Sequence, residues 1–149
     1  MGFETPSLKG RALRLLSGRE YSRLELERKL AAFDEEPGSL SAVLDDLQAK
    51  GFISEQRVLE SVVNRRSNKL GVARIKQELQ AKGLEPQAVA EAVRALRGTE
   101  LARAREVWRK KFGHPPDDAA QRAKQMRFLA SRGFGGDIIT RIVSGGDDD

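Results

Sequence analysis

The sequence has no cysteine, which excludes disulfides, thiolate metal sites and cysteine nucleophiles together. Aromatic residues make up only 5% of the 149 positions, too few for a large aromatic core or a row of base-stacking rings. No apolar run approaches the roughly 20 residues a membrane helix needs. The opening segment MGFETPSLKGRALRLL lacks the apolar stretch and small-residue cleavage site of a signal peptide. Pro6 occupies the position where a myristoylation signal requires Ser or Thr. A soluble cytoplasmic protein that does not engage a membrane is expected. No segment alternates apolar and polar residues as a half-buried strand does, so the expected fold class is all-α.

Catalytic chemistry is also scarce. The single His, His114, sits in FGHPPD between two helical patterns, where a turn role is expected. Asp45 and Asp46 are adjacent, so on a helix their side chains diverge and cannot work as a pair. Gly135 and Gly136 belong to no GxxxxGK[ST] phosphate loop. No His, Asp and Glu set has ligand-like spacing, so neither a metal nor a cofactor is expected, and the chain is read as a non-enzyme.

What the chain does have is positive charge, with 27 Lys and Arg against 22 Asp and Glu and a net charge of +5. The charge is unevenly spread: the net is −1 over 1–53, +4 over 54–98 and +2 over 99–149. Three acids of the last segment are the terminal Asp147, Asp148 and Asp149, read as a solvated acidic tail over 147–149. A basic middle and end favour a polyanion or an acidic protein groove as partner.

A six-residue pattern occurs three times: LQAKGF at 47–52, LQAKGL at 79–84 and LASRGF at 129–134. Each has the grammar of a Schellman helix end. Gly takes the left-handed conformation, and a basic residue complements the helix dipole. The apolar residue after Gly (Phe52, Leu84, Phe134) is expected to fold back on the Leu five positions earlier. The first pattern ends a third helix and the other two end second helices. Ser22 with Glu25 forms a capping box ahead of LELERKLAAF. Val58, Leu59, Val62 and Val63 make one apolar stripe, Val72, Ile75 and Leu79 another, and Val89, Val93 and Leu96 a third. Leu101, Ala104, Trp108 and Phe112 follow at helical spacing. Asp117 or Asp118 caps a helix toward Leu129, and Ile138, Ile139, Ile142 and Val143 mark a short last helix. Breaks at 33–39, 69–71, 97–99 and 112–117 leave about nine short helices. They group into three tandem three-helix repeats, 1–53, 54–98 and 99–146, in an elongated array.

These residues resemble the RecX family, bacterial regulators of the RecA recombinase. The likeness runs from about Leu8 to Val143. Near the start it rests on Ser22, Glu25, Leu26, Lys29 and Leu30. Its most specific block is K-x-G-x-x-R-I-x-x-E-L-x-x-K-G, supplied by Lys69, Gly71, Arg74, Ile75, Glu78, Leu79, Lys82 and Gly83. Lys111, Phe112, Gly113, Arg127, Phe128, Leu129, Arg132, Gly133 and Phe134 supply the last block. The FDEEPGS linker and the Asp-rich tip depart from the family pattern. The resemblance implies three three-helix repeats that bind in the groove of the RecA nucleoprotein filament and inhibit recombinase and ATPase activity and filament growth. It places the chain in recombination, DNA repair and SOS control, as a monomer with weaker, non-specific affinity for single- or double-stranded DNA. The alternative is a stand-alone DNA-binding regulator built from helix-turn-helix-like units.

Candidate contact residues follow from clustered basic charge, in the first cluster without a sequence-local partner. Arg74, Glu78 and Lys82 stand four apart and are expected to form an exposed ion-pair ladder. Arg65, Arg66 and Lys69 have no acid three or four positions away, and Lys76 lacks a good partner. They are therefore expected to face a polyanionic or acidic partner, as is a second cluster of Arg103, Arg105, Arg109, Lys110 and Lys111. Trp108, on the Leu101–Phe112 stripe, is expected to fill the core.

Overall fold

The computed structural model describes residues 5–145; the acidic tail lies outside them. Among the described residues there are nine α-helices, one 3-10 turn and no strand. The helices are α1 (Leu8–Gly18), α2 (Arg23–Leu30), α3 (Ser39–Ala49), α4 (Glu55–Arg66), α5 (Val72–Ala81), α6 (Pro86–Arg97), α7 (Glu100–Lys111), α8 (Ala119–Ser131) and α9 (Gly136–Val143). The 3-10 turn Ala31–Phe33 extends α2, a detail the helical pattern did not reveal.

The expected start signals are present. Ser7, not among those signals, accepts from the Gly10 N–H to cap α1. At α2, Ser22 and Glu25 form the full capping box, each accepting from the other's backbone N–H. Of the two candidate caps for α8, Asp118 is the one used, accepting from the Gln121 N–H at 2.8 Å. The three repeated six-residue patterns end α3, α5 and α8. Gly51, Gly83 and Gly133 all take positive φ, between 72° and 88°.

The chain divides into two compact units. One draws on Met1–Ser61 with Ala81–Glu85, the other on Val62–Gln80 with Pro86–Asp149. In the first unit, Ala12, Leu26, Leu30, Leu40, Leu44 and Leu47 form the core, closed by Tyr21 and Ile53. Arg23 ties α2 to α3 through Asp45 (2.6 Å), Gln48 and Ser41. Asp46, adjacent to Asp45, turns instead to Lys50 and Lys9, so the two carboxylates diverge as helical geometry requires. In the second unit, Val62, Val72, Ile75, Leu79, Val89, Val93 and Leu96 are buried, as the stripes predict. Ala104, Leu129, Phe134, Ile139, Ile142 and Val143 make a further core in that unit. Trp108 packs against it half-buried, and its indole N–H donates to Gln125 Oε1 at 2.8 Å. Gln125 is itself buried and donates back to the His114 carbonyl in the α7–α8 turn.

One helix end departs from expectation. Leu84 and Phe134 are buried, but Phe52 is 47% exposed, and its neighbour Ile53 enters the core instead. The Schellman hydrogen bond from the Phe52 N–H to the Leu47 carbonyl is nonetheless made at 2.9 Å. The cause lies in what the glycines face. The position of a Cβ on Gly83 is 2.7 Å from Leu24 Cδ2, and one on Gly133 would overlap Arg74. A Cβ on Gly51 would meet nothing within 4 Å. Two of the three stops are seated on the first turn of another helix. The third is unseated, so no neighbour covers Phe52.

Candidate functional site

The two seats involve most of the densest sequence block, and each couples opposite helix ends. A helix N-terminus has orphan N–H donors and a C-terminus has orphan carbonyls. At the start of α5 these meet those at the end of α8. The Gly71 N–H donates to the Arg132 carbonyl at 2.7 Å, and the Ala73 N–H donates to the Gly133 carbonyl at 3.3 Å. The Arg74 guanidinium donates to the Ser131 carbonyl at 2.7 Å. Between the Gly71 and Ala73 donors, the Val72 N–H is taken by Glu100 Oε2 at 3.0 Å from the start of α7. Glu100 is buried. The macrodipoles of α5 and α8 thus meet with opposite signs.

In the first unit the corresponding seat is made by side chains. Gly83 packs on Leu24, and Lys82 Nζ donates to Glu25 Oε2 at 3.0 Å. Glu25 also accepts from Arg19 at 2.9 Å and from the Ser22 N–H at 2.9 Å. Burial pushes its carboxyl up, but the hydrogen bonds from Arg19, Ser22 and Lys82, with the Lys82 charge, outweigh this and hold it at about 2.

These contacts correct several expectations. The Arg74–Glu78–Lys82 ladder is not formed: Arg74 goes to Ser131 and Lys82 to Glu25. Glu78 instead takes Arg66 at 3.0 Å and Arg65 at 3.7 Å. The premise that Arg65 and Arg66 lack an acidic partner is therefore wrong, because the partner lies on the next helix. Both remain 40% or more exposed, so the pairing is weak and screened.

Arg103 is occupied more fully. It donates to the Ser67 and Leu70 carbonyls at 2.8 Å each, to the Leu96 carbonyl at 3.1 Å and to Thr99 Oγ1 at 3.0 Å. Burial pushes its guanidinium down, against the Glu100 charge that favours protonation. Its donors close the C-terminal ends of α4 and α6, an architectural role the sequence reading did not assign. Arg105 is half-buried. Arg109 is exposed and holds Glu106 one turn away, keeping that carboxyl below its ordinary range.

Lys69, Lys76, Lys110 and Lys111 are exposed, and none enters an ion pair among the described residues. Lys76 lies on a cleft of about 450 Å³ with Arg97, Glu100 and Asp137, where the two cations face two acids. Lys111 sits over the Phe128 ring, and Arg132 sits over the same ring. Arg132 was not among the candidates, although the basic position before each repeated Gly pointed to it. Among the described residues no group of three or more His, Cys, Asp or Glu is placed to hold a metal ion. No helix there is long and apolar enough to cross a membrane.

Comparison with known proteins gives two family matches, "RecX, second three-helix domain" over residues 54–93 and "RecX, third three-helix domain" over residues 99–143. The chain is 56% identical over 137 residues to the regulatory protein RecX of Leptothrix cholodnii, covering 92% of this chain and 87% of that one. It is 44% identical to the regulatory protein RecX of Chromobacterium violaceum over 149 residues, covering 100% and 97%. Its fold is similar to the crystal structure of RecX from Lactobacillus salivarius, with a TM-score of 0.73 and 25% identity over 94% of each chain.

Proposed function

The chain belongs to the RecX family, with its all-α repeat fold, and from that premise we propose that it binds the RecA nucleoprotein filament and restrains it. In this reading the protein lies in the filament's helical groove, lowers recombinase and ATPase activity and hinders growth. It acts without chemistry of its own. The observation that carries the reading is the division of its cations. Arg74, Lys82 and Arg103 are spent on joining helix ends, whereas Lys69, Lys76, Lys110 and Lys111 are exposed without an ion-pair partner among the described residues. Exposed cations held in no ion pair favour a polyanionic assembly on a basic chain; of the four, Lys76 shares its cleft with Glu100 and Asp137.

A stand-alone DNA reader is the weaker reading. The base-reading residue types at the start of α4 are occupied: Ser54 caps the helix, Gln56 donates to Glu60, and Arg57 is held by Glu20 and the Gly51 carbonyl; α5 begins with Val72 and Ala73, whose N–H groups are bound to Glu100 and α8.

The test compares binding to bare single-stranded DNA and to recombinase-coated DNA across a salt series. Tighter binding to the coated strand, retained at salt that abolishes binding to the bare strand, is expected. Equal affinity for both, or tight binding to one naked sequence, contradicts the proposal.

A further inference from the structure

Most arginines whose contacts are described have their charge met by a carboxylate or a carbonyl. The cations around Phe128 do not. Lys111 Nζ lies 5.4 Å from the centroid of the Phe128 ring, and Arg132 Cζ lies 4.8 Å from it. The ring is fixed from a third direction by Phe112, whose ring meets it edge-on at 5.4 Å with an interplanar angle of 90°. A π-face positions a cation for about 0.5–1 kcal/mol at an exposed site without cancelling its charge. Lys111 and Arg132 are both exposed, and neither enters an ion pair among the described residues. Lys110 stands beside them, equally exposed.

The backbone beneath is hydrogen-bonded on both sides. The Arg132 carbonyl accepts the Gly71 N–H, and its own N–H donates to the Phe128 carbonyl. The side chain therefore starts from a held Cα, and the Phe128 face restricts its guanidinium, so part of the ordering cost of binding is already met.

We propose that Lys111 and Arg132, held over Phe128, form a phosphate-binding site for a nucleic-acid backbone. The inference rests on the reading of the basic surface as polyanion-contacting, and assigns to these residues a direct grip on the strand. The planar guanidinium offers a fork of donors that matches phosphate, and the ammonium adds a mobile point charge. An acidic protein surface fits less well. Protein interfaces centre on an apolar anchor and are depleted in Lys, whereas nucleic-acid interfaces are strongly positive. The large apolar side chains most exposed among the described residues are Phe33 and Phe52, and both belong to the other compact unit. The Phe128 ring is itself covered by the cations and Phe112, so it positions charge and does not stack a base. Binding without sequence preference follows.

The experiment measures affinity for a fluorescent oligodeoxythymidine over a salt series with no recombinase present. The variants are the Lys111→Gln/Arg132→Gln pair, Phe128→Leu, and Lys9→Gln/Lys50→Gln as a control of equal net charge. The first pair is expected to lose roughly tenfold in affinity at low salt, with the log–log salt slope reduced by about 0.7 for each lost phosphate contact. Phe128→Leu keeps both charges, and is expected to weaken binding severalfold with the slope retained. The control pair is expected to keep the wild-type slope. Thermal melts of each variant establish that it is folded.

An unchanged slope in folded Lys111→Gln/Arg132→Gln overturns the site. An equal slope reduction in the Lys9→Gln/Lys50→Gln control overturns it too, because net charge would then suffice. Unchanged DNA binding with loss of binding to the recombinase alone would assign these cations to an acidic protein surface and likewise reject the proposal. Failure here leaves the filament reading standing if coated DNA is still preferred.

Discussion

Replacing Gly71 by Ala is expected to destabilise the protein by about 3 kcal/mol, a fall in melting temperature of roughly 10 °C for a chain of this size. The φ angle is not the reason, since Gly71 is absent from the glycines with positive φ. The reason is proximity. A Cβ here would overlap the Gly133 carbonyl and stand 2.5 Å from the Phe134 nitrogen. These are backbone atoms, which cannot rotate away as a side chain can. Relief requires α5 to move off α8, which breaks the Gly71–Arg132 and Ala73–Gly133 hydrogen bonds and leaves the buried Gly71 N–H and Gly133 carbonyl without partners. Gly136→Ala supplies the contrast. A Cβ there meets nothing within 4 Å and φ is not positive, so a neutral or slightly stabilising effect, up to about 1 kcal/mol, is expected. Paired thermal melts check both; equal melting temperatures for the two variants would refute the seam.

The second large effect is at Glu25. Its carboxylate closes the α2 capping box and binds Arg19 and Lys82 at once. Glu25→Ala removes the box and leaves Lys82, only 12% exposed, without its anion. Loss of a cap costs about 1 kcal/mol and stranding a largely buried cation costs more, so about 3 kcal/mol in total is expected. Urea titration at neutral pH measures it. The pH dependence has a defined sign. The folded carboxyl is held at about 2 against an ordinary 4.5, so the folded state favours the ionised form. The stabilisation is fully present above about pH 4.5 and is lost as pH falls from there toward 2. The stability gap between wild type and Glu25→Gln should therefore be constant from pH 5 to 7 and shrink steadily below pH 4.5. A gap independent of pH over that range would show that the carboxylate charge is not what holds the seat.

The helices and their ends were legible because their causes are local. Ser22 and Glu25 are three residues apart, and each repeated stop lies within six residues, so periodicity and capping grammar sufficed. What the seats do was not legible. Arg66 and Glu78 are partners across two helices, and no spacing rule reaches from one to the other. The same holds for Arg103, whose role depends on which carbonyls its neighbours leave open. Phe52 shows the limit most clearly. Its local pattern matches those of Leu84 and Phe134, and its exposure follows from the absence of a helix start opposite Gly51. The basic stretch 65–84 looks like a polyanion grip, yet Arg74, Glu78, Lys82 and both of its glycines are joinery. Gln125 had a readable signal: it lies four residues before Leu129 on a core-facing stripe, where a polar side chain needs a buried partner, and it finds Trp108.

The central claim is that the seats are architecture and the exposed lysines make contact. It is tested most directly by titrating the protein into a RecA filament hydrolysing ATP. Wild type is compared with a variant carrying Gln at Lys69, Lys76, Lys110 and Lys111. Because these side chains are exposed and without ion-pair partners among the described residues, the variant should melt within about 2 °C of wild type. Its inhibition midpoint should shift at least tenfold upward. An unshifted midpoint in the folded variant would contradict the account.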